Sequence, residues 1–153
     1  GFARRNDERA IANDAVFVVE CAAMVVVVWA TGAGSRGWAP PSPSDVPAHA
    51  WALAIVCGLV LLGSTLHVKS LIRERRDPRY ARASRVYAVA CVPASVALAV
   101  WWGLPEGWWL VPPFVVLALR AFVVPRWNLK PSRVGLLELA AFVLVALGAV
   151  LAA

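Results

Sequence analysis

Five long apolar runs, separated by short polar segments, constrain the fold of this chain more than any other feature. A helix of about 20 residues crosses the roughly 30 Å hydrocarbon core of a bilayer. The runs are close to this length and cover residues 12–31, 48–66, 86–104, 108–124 and 134–153. A lone strand in lipid leaves its backbone groups unpaired, so even the valine-rich first run predicts a helix. We therefore predict an all-α membrane protein, a bundle of about five transmembrane helices.

The composition also favours lipid as the surroundings of the chain. Hydrophobic residues make up 61% of the sequence and charged residues 16%, and the mean hydropathy is +0.70. Soluble domains are about half apolar and a quarter charged, and a soluble domain of this size could not bury so much apolar surface. The net charge of +6 would raise the question of nucleic acid in a soluble protein. Here the basic residues flank the apolar runs, so we expect no nucleic-acid partner.

The basic residues predict the orientation of the chain. Lysine and arginine are enriched in the cytoplasmic loops of membrane proteins. With five spans, every lysine and arginine except Arg36 falls on the side of the amino end. We therefore predict a multi-pass protein of the bacterial inner membrane, with the amino end cytoplasmic and the carboxyl end outside. Residues 1–153 are predicted to form a single transmembrane domain, and the absence of Met at position 1 suggests part of a longer chain.

Four ionisable residues within or at the ends of the apolar runs are the candidate functional cluster: Glu20, His67, Arg120 and Glu138. Each lies about 6 to 9 Å below the predicted inner surface, so these side chains could meet. In one interpretation Glu20 and Glu138 bind a proton or cation, or Arg120 holds an anionic headgroup. In the other, which we favour, Arg120 pairs with one glutamate and the ion pair fixes the bundle. His67 is interpreted as an interfacial residue.

The basic segment after the second run offers a second set of candidates. If its helix continues to Arg76, Lys69, Arg73 and Arg76 share one face. Together with Arg75 they are candidate contacts for phosphates or anionic lipid headgroups at the cytoplasmic face. The simpler interpretation, which we favour for the charge itself, is a cytoplasmic loop that sets the topology.

No motif in the sequence predicts catalysis, a cofactor or a metal site. Cys21, Cys57 and Cys91 all lie inside apolar runs, so we interpret them as small packing residues. Metal-ligand spacing, a nucleotide-binding loop and a nucleophile–base pair are all lacking from the sequence. We accordingly predict no catalytic residues, no cofactor and no metal. The expected partners are the bilayer, anionic lipid headgroups and, as an open alternative, another membrane protein.

Three segments resemble the later parts of YwiC-like bacterial integral membrane proteins. They are RNDERAIAND at residues 5–14, STLHVKSLIRERRD at 64–77 and LKPSRVGLLELAAF at 129–142. Members of that family are longer and carry an HGAW-like motif near the amino end, which this chain lacks, so the resemblance implies a fragment. The family has no assigned activity to transfer. The resemblance thus implies an inner-membrane protein of uncharacterised role.

Three functions stay open at this point. The preferred one is a non-enzymatic accessory or transport component. A second is an enzyme acting on a lipid-borne substrate, and a third is a small proton- or cation-coupled transporter. The chain is also distantly similar to UbiA-type prenyltransferases, which hold magnesium with two aspartate-rich motifs. Here the corresponding loop has only Glu74 and Asp77 as acids, so that mechanism is not expected.

Overall fold

The computed structural model describes residues 2–32, 42–127 and 129–153, and within these ranges the chain is helical, with no strand. The five α-helices are α1 (Phe2–Gly32), α2 (Ala48–Val68), α3 (Pro78–Trp102), α4 (Val111–Val123) and α5 (Pro131–Ala152). A π-helical turn (Lys69–Arg73) follows α2, and 3-10 turns (Glu106–Leu110 and Val124–Trp127) flank α4. A further 3-10 turn (Pro43–Asp45) precedes α2.

Five helical segments of the described chain are long and apolar enough to cross a membrane. They are Asn13–Gly32, Ala48–Ile72, Pro78–Trp102, Glu106–Trp127 and Pro131–Ala152. The prediction of an all-helical chain with five apolar helices is thus confirmed, whereas the orientation of its ends stays a prediction. Each segment also leaves large apolar side chains exposed, for example Val19, Ile55, Val86, Leu119 and Val150. Such surfaces are rare on soluble monomers but natural where a helix contacts lipid.

The polar connection between α2 and α3 differs from the prediction. We expected the helix of α2 to continue to Arg76, but it ends with the π-helical turn, where the Glu74 amide donates to the Lys69 carbonyl at 2.8 Å. Arg76 therefore lies in a turn, and its predicted place on a helix face with Lys69 is wrong. The helix α3 begins at Pro78, eight residues before the predicted span, because Asp77 accepts a hydrogen bond from the Arg79 amide at 2.8 Å and caps it.

Prolines occupy two kinds of helical position. Pro93 lies inside the α-helix α3, which continues past it. Pro112 and Pro113 lie in the first turn of α4, where a missing amide hydrogen costs little. The 3-10 turn Glu106–Leu110 directly precedes this proline pair.

The chain divides into two compact units, Gly1–Leu62 and Gly63–Ala153. In the first unit, α1 and the start of α2 approach at a small residue. A Cβ atom at Gly58 would lie 3.6 Å from the Cβ of Ala22, an ordinary van der Waals contact.

The second unit contains the end of α2 together with α3, α4, α5 and the turns that connect them. Its best-buried large side chains are Phe114 and Leu110. A Cβ at Gly107 would lie only 2.2 Å from the Ala99 carbonyl oxygen, so only glycine lets this turn pack on α3. At the far end of the unit, Nε1 of Trp102 donates to the Ala152 carbonyl at 2.8 Å and ties α3 to α5.

Candidate functional site

An ion pair between α4 and α5 is the central feature of the second unit. Nη1 of Arg120 lies 2.7 Å from Oε1 of Glu138, and the two side chains are 12% and 9% exposed. Both residues lie seven positions inside the ends of their apolar segments, Trp127 and Pro131, or about 10 Å at the rise of a helix. A charge at such a place is costly unless it is paired. The pair therefore links the two helices and neutralises both charges.

Ser64 completes the surroundings of the carboxylate. Its hydroxyl, on α2, donates a hydrogen bond of 2.5 Å to Oε2 of Glu138. Each oxygen of the carboxylate thus has its own partner, one cationic and one neutral. The carboxylate of Glu138 is thus held between a residue of α4 and a residue of α2.

His67 lies one helical turn beyond Ser64 and is only 2% exposed. Its Nδ1 is 3.5 Å from Oγ of Ser84 on α3, at the outer limit of a hydrogen bond. Its ring is close enough to Arg120 for the two side chains to interact electrostatically. The Ser70 hydroxyl donates to the His67 carbonyl at 2.7 Å. The imidazole therefore faces the interior of the second unit.

These five residues, Ser64, His67, Ser84, Arg120 and Glu138, are called the polar cluster below. Two of its buried nitrogens, Nε2 of His67 and Nε of Arg120, have no hydrogen-bond partner within the described part of the chain. Nη1 of Arg120 and Oε1 of Glu138 form an ion pair, but their geometry does not meet the angular requirement for a hydrogen bond. Buried polar atoms are nearly always hydrogen-bonded. The polar cluster thus has capacity to bind a further polar species.

The predicted candidates are distributed between the two units. His67, Arg120 and Glu138 come together in the polar cluster. Glu20 lies on α1 in the first unit and is exposed, so its participation stays a prediction.

The four predicted headgroup contacts lie on the π-helical turn and in the turn that follows it. Lys69 is half-buried, and Arg75 and Arg76 are exposed. The side chain of Arg73 lies outside the described residues. Whether these residues contact lipid headgroups stays a prediction.

Sequence reasoning did not identify Ser64 and Ser84 as members of the cluster. The spacing of Ser64 and His67, three residues apart on one helix, could have pointed to a shared face. Ser84 falls outside the predicted spans, because the third apolar run begins at residue 86. Its contact with His67 depends on the early start of α3 at Pro78.

The chemistry available to the polar cluster is proton exchange and anion binding. A carboxylate and an imidazole can each take up a proton, and a guanidinium that loses its counter-charge binds anions. Within the described residues, no group of three or more histidine, cysteine, aspartate or glutamate side chains is arranged to hold a metal.

The fold and the polar cluster define a helical protein whose described chain has five segments long and apolar enough to cross a membrane, with an ion pair between α4 and α5. Over 139 residues the chain is 30% identical to an uncharacterised protein of Haemophilus influenzae, which covers 91% of this chain and 51% of that relative. It is 28% identical over 139 residues to the uncharacterised protein YwiC of Bacillus subtilis, covering 90% of this chain and 51% of YwiC. The chain is therefore distantly related to the YwiC-like proteins.

The match confirms the resemblance noted in the sequence. The chain spans about half the length of these curated relatives. No family model matches it, and no solved structure matches it significantly.

Proposed function

We propose that this chain is the ion-handling part of a bacterial inner-membrane transport protein that moves a small anion together with a proton. The observation that supports this most is the Arg120–Glu138 pair, because it combines an anion-binding group with a proton acceptor at 2.7 Å. Ionisable residues inside membrane helices commonly mark ion pathways.

The proposed cycle uses the two partners alternately. While Glu138 is ionised, its carboxylate holds the guanidinium of Arg120. A proton arriving on Glu138 removes the negative charge, and the guanidinium then lacks a counter-charge in apolar surroundings. A small anion binds there and restores neutrality. Loss of the proton restores the ion pair and displaces the anion, so one monovalent anion moves with one proton.

His67 and Ser64 have supporting roles in this proposal. The unpartnered Nε2 of His67 is a group that can accept and pass on a proton near the pair. The Ser64 hydroxyl, bound to Oε2, keeps the glutamate in position when Arg120 is released. We further propose that the amino end is cytoplasmic, because the positive-inside rule places the basic loops there.

The test is proton-coupled anion flux in proteoliposomes that contain the full-length protein and an internal pH-sensitive dye. Chloride, nitrate and phosphate are added outside in turn, with the membrane potential clamped by valinomycin and potassium. We expect at least one of these anions to drive proton entry. Glu138→Gln should abolish proton entry but preserve exchange of the labelled anion, whereas Arg120→Gln should abolish both.

Glu106→Gln is the matched control, because Glu106 is an exposed acid outside the polar cluster. It should transport like the unmodified protein. Proton entry that is independent of all three anions, or that persists at the full rate in Glu138→Gln, would contradict the proposal.

A further inference from the structure

A groove between α3 and α4 forms a second feature of the second unit, distinct from the polar cluster. It has a volume of 610 Å³. Arg82 and Arg85 line one part of it, and its apolar wall includes Val86, Val89 and Pro93 of α3 and Phe122 of α4. The groove is therefore amphiphilic, with two cationic side chains beside an apolar channel.

The dimensions of the groove fit one leaflet of a bilayer. Along α3, Arg82 lies eleven residues and Arg85 eight residues before Pro93, which corresponds to about 16 and 12 Å of helix. Half of the hydrocarbon core is about 15 Å thick. A lipid whose headgroup is at the arginines would thus extend its acyl chain as far as Pro93.

The charge at the groove favours an anion. Arg82 and Arg85 are both exposed, and no acidic residue is among the side chains that line the groove. Nε of Arg85 donates to the Ala81 carbonyl at 3.0 Å, which uses one of the three guanidinium nitrogens and holds the side chain to its helix. Guanidinium groups bind phosphates through paired hydrogen bonds.

We propose that this groove binds one anionic phospholipid, with its phosphate at Arg82 and Arg85 and an acyl chain along the wall to Pro93. This site differs from the headgroup contacts predicted from the sequence, which lie at residues 69–76. A helix covering the same groove would need the apolar wall but not the two arginines. The dependence of binding on these arginines therefore distinguishes a lipid from a helix.

The test is lipid retention by the purified full-length protein in mild detergent, measured by native mass spectrometry. Phosphatidylglycerol and phosphatidylcholine with identical acyl chains are compared. A basic residue near an anionic membrane surface contributes about a fivefold factor in affinity. The double variant Arg82→Gln, Arg85→Gln should therefore bind phosphatidylglycerol about thirtyfold more weakly. The matched control Arg126→Gln, Arg133→Gln removes two exposed arginines that do not line the groove. Its affinity for phosphatidylglycerol should stay within about threefold of that of the unmodified protein.

A second pair of variants tests the apolar channel. Ala90 also lines the groove, so Ala90→Phe should fill it and weaken binding of phosphatidylglycerol. Ala97 is exposed on the same helix but does not line the groove, so Ala97→Phe should bind normally. Excess glycerol phosphate should not displace the lipid, because it has the headgroup charge but no acyl chain.

Three results would overturn the proposal. The first is equal retention of the two lipids by the unmodified protein. The second is equal loss in the groove and control variants, which would indicate general attraction of anionic lipid to basic residues and not binding in the groove. The third is full displacement by glycerol phosphate, which would indicate a phosphate site without an acyl chain.

Discussion

Replacing Arg120 by leucine tests the energetic role of the buried ion pair. The change leaves Glu138, whose side chain is 9% exposed, with Ser64 as its remaining hydrogen-bond partner in the described chain. Removing one partner of a buried pair costs about 3 to 5 kcal/mol. The short glutamate side chain cannot reach the polar surface from about 10 Å inside the span. We therefore expect a loss of about 4 kcal/mol in the free energy of unfolding.

The reciprocal change, Glu138→Leu, should be less damaging. The hydrogen bond from Ser64 is lost, which costs about 0.6 kcal/mol within a membrane. Arg120, however, has a long side chain that can extend towards the interface and recover water around its charge. We expect a loss of about 3 kcal/mol for this variant. In the double variant both charges are gone, so its stability should lie within about 1 kcal/mol of the unmodified protein.

The losses of the two single variants together exceed that of the double variant by a coupling free energy of about 7 kcal/mol. It can be measured by reversible unfolding in mixed micelles of mild and denaturing detergent, followed by circular dichroism. Arg126→Leu and Glu106→Leu form the control cycle, because these exposed residues are twenty positions apart, about 30 Å along a helix. Their coupling should stay below about 0.5 kcal/mol. A coupling below about 1 kcal/mol for the pair would refute the reasoning, as would Glu138→Leu being more destabilising than Arg120→Leu.

Two further predictions concern particular contacts, and a third concerns topology. Gly148→Ala should destabilise the protein by about 1 to 3 kcal/mol, because its Cβ would lie 2.7 Å from the Trp109 carbonyl oxygen. A Cβ at Gly135 would have nothing within 4 Å, so Gly135→Ala should not destabilise the protein in the same unfolding assay. Equal loss of stability in the two variants would contradict the close packing at Gly148. Asp77→Ala should cost about 1 kcal/mol because the cap of α3 is lost. Asp77→Asn should retain most of that stability. If Asp77→Ala were as stable as the unmodified protein, the cap would be dispensable. For topology, a cysteine at Ser42 in a background without Cys21, Cys57 and Cys91 should react with a membrane-impermeant maleimide in intact cells. A cysteine at the exposed Ser132 should react only after permeabilisation, and the reverse pattern would overturn the orientation.

The number and type of the helices could be predicted because the relevant signals are local. A run of about 20 apolar residues in lipid has to satisfy its backbone within itself, whatever its neighbours are. The predicted span 134–153 and the helix Pro131–Ala152 differ by only a few residues. The larger errors are at the polar ends. At the start of α3, the cap by Asp77 extends the helix through a basic segment that carries no apolar signal.

The candidate site was predictable only as a set of residue types. Arg120 and Glu138 attract attention because charged residues are rare in apolar runs. The sequence does not show which glutamate lies beside Arg120. The position of a residue along its helix gives its depth in the bilayer, but it does not give the rotation of that helix about its own axis. The contact of His67 with Ser84 could not be predicted for a different reason, because it depends on α3 beginning at Pro78, before the predicted span.

The sequence by itself determined that this chain forms five apolar helices and is distantly related to the YwiC-like proteins. It also determined which charged residues are out of place in lipid. Only the tertiary structure decided that Glu138 lies against Arg120 and Ser64, and that Arg82 and Arg85 adjoin an apolar groove between α3 and α4. The physical reason is that helix formation depends on neighbours within a few residues, whereas these contacts depend on how separate helices pack against one another.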